Sequence, residues 1–480
     1  MLSKYIFRMM VLVAMTTAIY SCTPELVTKT EDVSMPDQFS EDLDTTNVAQ
    51  MNWKEYFADP YLVALIDTAL SNNQELNIML QEMIISGNEV MARKGEYLPS
   101  VGLGAGGGVE KVGHYTRDGA VEANTDIAPG KEFPEPLGEM GVGAYATWEI
   151  DIWKKLRNAK KSAYRRYLSS VDGKNFMVTQ LIAEIASSYY ELLALDNELA
   201  IVEQNIEIQS NALEIVKLQK QAARVTELAV RRFEAQVLNT KGLQYGIRQE
   251  IIETENKINF LVGRYPQPVE RNPETFASFR PKSVQTGIPS QLLQMRPDIR
   301  EAEMQLAASK LDVKVAKARF YPSLAITAGV GFQAFNPEYF VKSPESLAYS
   351  VLGDLTAPLL NRKAIKAQYY NANAQQVQAV YNYEQTILNA YIEVANMVSK
   401  IGNLEQRYNL KAEQVEVLNQ SVEISNYLFT NTRADYMEVL LTQREALDAR
   451  FELLETKMQQ MHAWINIYQA LGGGWNQYRE

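Results

Sequence analysis

Histidine and cysteine are nearly missing from this chain, with two of the first and one of the second among 480 residues. That leaves no set of side chains for a zinc site, a disulfide framework or a Cys–His nucleophile. His114 falls in a predicted loop and His462 on a predicted helix, with no convergent polar constellation around either. No enzymatic chemistry, metal or other cofactor is therefore expected. Basic charge is also short: 47 Lys and Arg stand against 58 Asp and Glu, a net charge of −11 that argues against nucleic acid as a partner. Long apolar runs are absent as well. At 22% charged residues the chain is too polar for a bundle of membrane-spanning helices. Its one apolar run, Met9 to Ile19, follows Lys4 and Arg8 and is too short to cross a bilayer as a helix.

That run reads as a signal peptide, 1–21, ending in Ile19-Tyr20-Ser21-Cys22. The ending resembles a bacterial lipobox, although Tyr20 is bulkier than the pattern favours. The lipobox reading makes Cys22 the lipidated N-terminus, held to a membrane by acyl chains without crossing it. A generic signal peptide with an incidental thiol is the alternative. From Thr23 to about Asn52 the chain is polar, acidic and punctuated by proline, which predicts an extended tether.

What the chain has in abundance is helical periodicity, written twice. Val171, Val178, Ile185, Leu192, Leu199, Ile206 and Leu213 recur every seventh residue, a heptad seam sustained well past the length that argues a coiled coil. The positions 209 further on, Val380, Ile387, Val394, Ile401, Tyr408, Val415 and Val422, are again all apolar. Landmarks keep the offset: Glu184-Ile185-Ala186 matches Glu393-Val394-Ala395, Arg224 matches Arg433, and Gly263 matches Gly472 (472 − 263 = 209). Each copy therefore holds a long helix, a tight reversal and a return helix. The first pair is predicted at about Ile152 to Ala222 and Glu227 to Val262, roughly 105 Å and 54 Å long.

Before each long helix the pattern changes. A predicted helix from about Pro60 to Tyr97 ends at Tyr97-Leu98-Pro99-Ser100, and one from about Gln291 to Phe320 ends at Tyr321-Pro322-Ser323. Proline closes both. The next residues alternate with period two: Val101 to Val109 and Met140 to Ile150 in the first copy, Leu324 to Phe332 and about Leu347 to Ala357 in the second. Two hairpins are expected, joined by a long loop at about 113–136 and a shorter one at about 336–344. The glycines from Gly102 to Gly108 lack the strand-to-helix context of a nucleotide loop and fit a curved barrel wall. Four strands cannot close a barrel, so other copies must complete it, and three copies give about twelve strands.

The duplicated order of elements resembles the TolC-type outer-membrane efflux channel family, in its lipoprotein branch. Leu292-Leu293-Gln294-Met295-Arg296-Pro297-Asp298-Ile299 resembles its repeat-opening motif, with Asn73-Gln74-Glu75-Leu76 a weaker copy, and Trp148-Glu149-Ile150-Asp151 also fits. The resemblance implies a mixed α and β fold: a duplicated helix, β-hairpin and long helical hairpin. Three copies would form a 12-stranded transmembrane β-barrel continuous with a periplasmic α-helical barrel. The chain then divides into the signal peptide (1–21), the lipidated N-terminal tether (22–59), repeat 1 (60–263), an equatorial inter-repeat segment (264–290), repeat 2 (291–474) and a C-terminal tail (475–480). A flexible linker is the alternative for 264–290, where five prolines from Pro266 to Pro289 exclude a continuous helix.

The implied partners are two further copies in a homotrimer, outer-membrane lipid, a periplasmic membrane-fusion adaptor and an inner-membrane pump of the resistance-nodulation-division type. The implied location is the outer membrane, lipid-anchored and extending into the periplasm. The implied role is a passive conduit for drugs or other small molecules. A type I protein-secretion duct is the runner-up, because cargo is chosen mainly by the pump. A periplasmic coiled-coil adaptor is disfavoured, since it needs one helical hairpin and no alternating strands. The resemblance places the periplasmic gate at the helical turns, with Arg433, Asp435, Tyr436 and Glu438 as candidates beside Arg224 and Glu227. Leu440-Leu441 occupies the spot where a second acidic ring would stand. The alternative for all six is a set of solvated tip charges.

Overall fold

The computed structural model describes residues 24–39, 46–274, 276, 285–358, 362–431 and 433–475. The signal peptide, Cys22 and most of the C-terminal tail lie outside them. The described residues form two compact units, one drawn from 24–30, 84–168 and 304–380, the other from 31–83, 169–303 and 381–475.

The first unit holds the strands. β1 (Ser100–Glu110), β2 (Leu137–Ile150), β3 (Ser323–Ala334) and β4 (Leu347–Thr356) pair in that order, antiparallel throughout. The two expected hairpins are thus one meander, because β2 of the first copy pairs with β3 of the second from Met140↔Ala334 to Ile150↔Leu324. Register keeps the alternation intact across the sheet. Leu103, Ala144, Val330 and Tyr349 lie in one row on the apolar face, and Gly102, Tyr145, Gly329 and Ser350 in the adjoining row on the other. In the single chain the apolar face is open, with Leu103 88% exposed. The loop before β2 is more structured than a turn: it contains a short helix, Arg117–Glu122, and a small strand pair, Asp126–Ala128 with Lys131–Glu132.

The same unit contains the tether's beginning. Residues 24–39 have no regular structure, as expected. Leu26 packs beside Ala316, Phe320, Tyr369 and Ala372, and Asn373 donates to the Val27 carbonyl at 3.1 Å.

The second unit is helical, and several of the helices that follow also have residues in the first. Each helix predicted to open a repeat is broken in two: α1 (Pro60–Asn72) and α2 (Gln74–Tyr97) in the first copy, a one-turn helix (Leu292–Met295) and α3 (Pro297–Ala318) in the second. Pro297 forces Arg296 into an extended conformation. Asn73 does the same work without proline, its side chain capping the next helix through the Leu76 N–H at 2.8 Å. The hairpins follow as α4 (Lys155–Gln221) with α5 (Glu227–Val262), and α6 (Lys363–Thr430) with α7 (Tyr436–Ala470). Every heptad position of both seams is buried or half-buried. No helix among the described residues is long and apolar enough to cross a membrane.

The stretch expected to be extended, Thr23 to about Asn52, contains one short helix near its end, and a second follows it within the tether. Val48–Gln50 and Trp53–Phe57 are short helices, and Trp53, Tyr56 and Phe57 are buried in the main core. Tyr56 stacks between Trp464 (4.1 Å) and Tyr468 (4.2 Å) and donates its hydroxyl to the Trp464 carbonyl at 2.7 Å. Aromatic rings of this size outweigh the polar composition around them. The inter-repeat segment is docked as well. Val269 and Phe276 enter the same core, and Arg271 bonds Asp196 at 2.5 and 2.9 Å and Glu255 at 2.5 Å.

Candidate functional site

Both helical turns lie in the second unit and share one backbone solution. At the first, the Arg224 N–H donates to the Gln219 carbonyl at 2.9 Å; at the second, the Arg433 N–H donates to Leu428 at 2.9 Å. Ala223 takes a left-handed φ of 57° to make the first turn. Thr226 and Asp435 then occupy the N-cap positions of α5 and α7 in extended conformation, and neither side chain caps its helix. A capping oxygen is usually committed to a backbone N–H, so the Asp435 carboxylate is left available.

A small apolar core joins the two turns. Val216, Phe233 and Val439 are each 1% exposed, and Leu213, Ala229, Val230 and Val237 complete it. Val225, Phe429, Tyr436 and Leu440 pack on its edge. Of the six predicted gate residues, Tyr436 alone therefore contributes to packing. Arg232 donates to the Met437 sulfur at 2.8 Å, a second tie between the turns.

The charges divide unevenly. Glu227 is ion-paired with Lys220 and, at 2.9 Å, with Arg231, which also holds Glu234 at 2.9 Å. The hydrogen bond from the Lys220 ammonium is the main cause that holds the Glu227 carboxyl below its usual range. Arg224, Arg433, Asp435 and Glu438 are exposed, and none has an ion pair or side-chain hydrogen bond among the described residues. The first turn thus satisfies its acid internally, whereas the second presents two acids and a base with no side-chain partner among the described residues. No group of three metal-binding side chains occurs among the described residues.

Two polar latches were legible in the sequence only as motifs. Asn73 donates to the Leu261 carbonyl at 2.8 Å, and Arg296 donates to the Ala470 carbonyl at 2.7 Å while bonding Asp298 and Glu393. Leu261 and Ala470 are themselves 209 positions apart. The two repeat-opening motifs therefore fasten equivalent ends of the return helices, one through an amide and the other through a guanidinium.

The outer membrane efflux protein family model matches residues 65–264 and 288–473. The pyoverdine export outer membrane protein OpmQ of Pseudomonas aeruginosa is 24% identical over 441 residues, covering 91% of this chain and 90% of that protein. The cation efflux system protein CusC of Escherichia coli is 25% identical over 437 residues, covering 90% of each. A crystal structure of a membrane protein from Pseudomonas aeruginosa superposes with a TM-score of 0.85 at 22% identity, over 95% of this chain and 98% of that one.

Proposed function

Given that the chain belongs to the outer membrane efflux protein family, and is an outer-membrane efflux channel component and not an enzyme, we propose that its second helical turn is the periplasmic gate. The observation that carries this reading is the contrast between the turns. Glu227 is tied to Lys220 and Arg231 within its own chain, while Arg433, Asp435 and Glu438 have no side-chain partner among the described residues. In a closed ring of three copies those groups can pair across subunits, with Tyr436 held in place by the apolar core beneath it. Each such pair contributes roughly 0.2–1 kcal/mol, so a threefold set closes the bore yet opens under the binding energy of a partner.

The same reading assigns the surroundings. Three copies complete a twelve-stranded barrel in the outer membrane. Cys22 is acylated, which the position of Leu26 against Phe320 and Tyr369 supports, because it starts the described chain beside the helix ends that adjoin the strands. The turns meet a periplasmic adaptor that links the channel to an inner-membrane pump of the resistance-nodulation-division type. Small molecules are the cargo, in keeping with the named export roles of the pyoverdine and cation relatives.

Planar-bilayer conductance tests the gate. Replacing Arg433 and Asp435 together by alanine should raise conductance and sensitise cells to bulky antibiotics, while the Arg224→Ala, Glu227→Ala pair should do less. Wild-type conductance in both double variants would return all these residues to solvated tip charges.

A further inference from the structure

Charge is distributed against the total of −11. Residues 151–168 carry seven basic side chains and one acidic, 310–319 four and one, and 362–380 three and none. All three stretches belong to the strand-bearing unit and adjoin its strands in sequence. Ile150 ends β2 just before α4 begins at Lys155, α3 ends at Ala318 just before β3, and Thr356 ends β4 ahead of Lys363. Among the described residues three of the cations are ion-paired, Lys155 with Glu149, Arg157 with Asp151 at 3.2 Å and Arg166 with Asp312, while Arg319 donates to Gln368 at 2.5 Å and Arg362 to the Phe320 carbonyl at 3.2 Å. Lys154, Lys161, Lys314, Lys317, Lys363 and Lys366 are exposed, with no acidic partner among the described residues.

At the start of α6 the placement runs against local helix electrostatics. A helix N-terminus favours acids and disfavours cations. Where α5 and α7 begin, the first turn obeys, with Glu227 and Glu438. Where α4 begins, beside the strands, the Asp151 carboxylate supplies the acid, accepting from the Leu156 and Arg157 N–H groups at 3.1 and 2.9 Å; where α6 begins, the first turn has no acid and Lys363 and Lys366 stand there instead. Lys317, in the last turn of α3, sits where a helix favours a cation, whereas Lys363 and Lys366 sit where their own helix repels them and call for an external anion. The level is marked by amphipathic rings. Trp148 donates its indole N–H to the Tyr97 carbonyl at 3.2 Å, Trp153 donates to Pro322 at 2.8 Å, and Trp153 stacks on Tyr321 at 4.7 Å. Such rings gather where a barrel leaves the hydrocarbon.

We propose that these lysines form a collar that binds the anionic headgroups of phospholipids in the leaflet at the helical end of the barrel. This rests on the reading that the strands cross a membrane. Lys154 and Lys161 lie within ~10 Å of each other along the chain's rise, and flexible four-carbon stems let both reach one headgroup layer.

The test is lipid counting in nanodiscs of mixed phosphatidylglycerol and phosphatidylcholine. The full-length trimer is released and its retained lipids are weighed by native mass spectrometry. The parent should retain phosphatidylglycerol in excess over the bulk mixture, by about fivefold for each lysine that reaches the surface, and the excess should fall with salt. The Lys161→Gln, Lys317→Gln, Lys363→Gln, Lys366→Gln variant should lose the excess, and the corresponding four Lys→Arg changes should keep it. An unchanged excess in a glutamine variant that is still trimeric would overturn the collar. So would a changed reversal potential with unchanged lipid retention, which would put the lysines in the bore. A parent that fails to enter nanodiscs would instead remove the membrane reading beneath it.

Discussion

Gly263 and Gly472 hold the same place in the two copies, each ending a return helix with a left-handed residue, φ 76° and 87°. A Cβ at Gly263 would come 2.6 Å from the Asn72 carbonyl oxygen, and one at Gly472 would come 2.5 Å from that of Met295. Gly263→Ala and Gly472→Ala should each cost about 1–3 kcal/mol through strain and contact, lowering the apparent melting temperature of the purified channel. Gly242, inside α5 with open space around it, is the contrast: alanine there should gain about 0.5–1 kcal/mol. His462 carries a pH prediction. Burial is the main cause that holds its imidazole below the ordinary range. A depressed folded value gives stability that is present above the unfolded value, near ~6.5, and is lost as pH falls through the folded one. The channel should therefore melt earlier at ~pH 5 than at ~pH 7.5, and His462→Gln should shrink that difference. An equal drop in both proteins would assign the pH dependence to other groups.

At the scale of elements, the sheet depends on two glycines that face each other across β2 and β3, Gly143 and Gly331. A Cβ at Gly331 would stand 2.2 Å from the Val142 carbonyl oxygen, and one at Gly143 would stand 2.7 Å from that of Val330. Gly331→Val should therefore prevent the two copies' hairpins from pairing, seen as loss of heat-resistant trimer on gels of outer-membrane fractions. Gly108→Val, with nothing within 4 Å, should assemble normally. These elements were legible to different degrees. The long helices and strands announced themselves because their periods of seven and two persist over many residues, and α5 matches its predicted bounds, Glu227–Val262. The breaks at Asn73 and Arg296 did not, because the apolar stripe from Leu62 to Ile84 continues through the first and masks the N-cap. The folded aromatic segment Trp53–Phe57 was hidden by its polar surroundings. At the turns, sequence located the charged residues, but only the side-chain positions separate the paired Glu227 from Asp435, which has no partner among the described residues. Glu227 and Arg231 follow the i,i+4 spacing of a helix, but the reach of Lys220 across the turn to Glu227 is set by no spacing rule.

For the whole molecule, the four-stranded sheet decides what one chain cannot do alone. β1 and β4 each pair on one side only among the described residues, and their apolar face is open, with Val351 and Tyr349 72% and 80% exposed. Hydrocarbon offers no hydrogen bonds, so an unpaired strand edge costs several kcal/mol for each backbone group left unsatisfied there. Joining β4 of one copy to β1 of the next removes both edges at once, and three copies give the even, closed set of twelve that barrels require. The purified protein should accordingly have the mass of three protomers in mild detergent. Cysteine scanning checks the joint itself, in a background where Cys22 is replaced by serine. Val101→Cys on β1, combined in turn with Tyr349→Cys and Val351→Cys on the same face of β4, should cross-link protomers to each other in at least one register. It should form no link within a protomer, where β2 and β3 stand between the two edges. A monodisperse monomer that still conducts ions would show that one chain satisfies its own edges, and the threefold reading of the barrel and the gate would fall together.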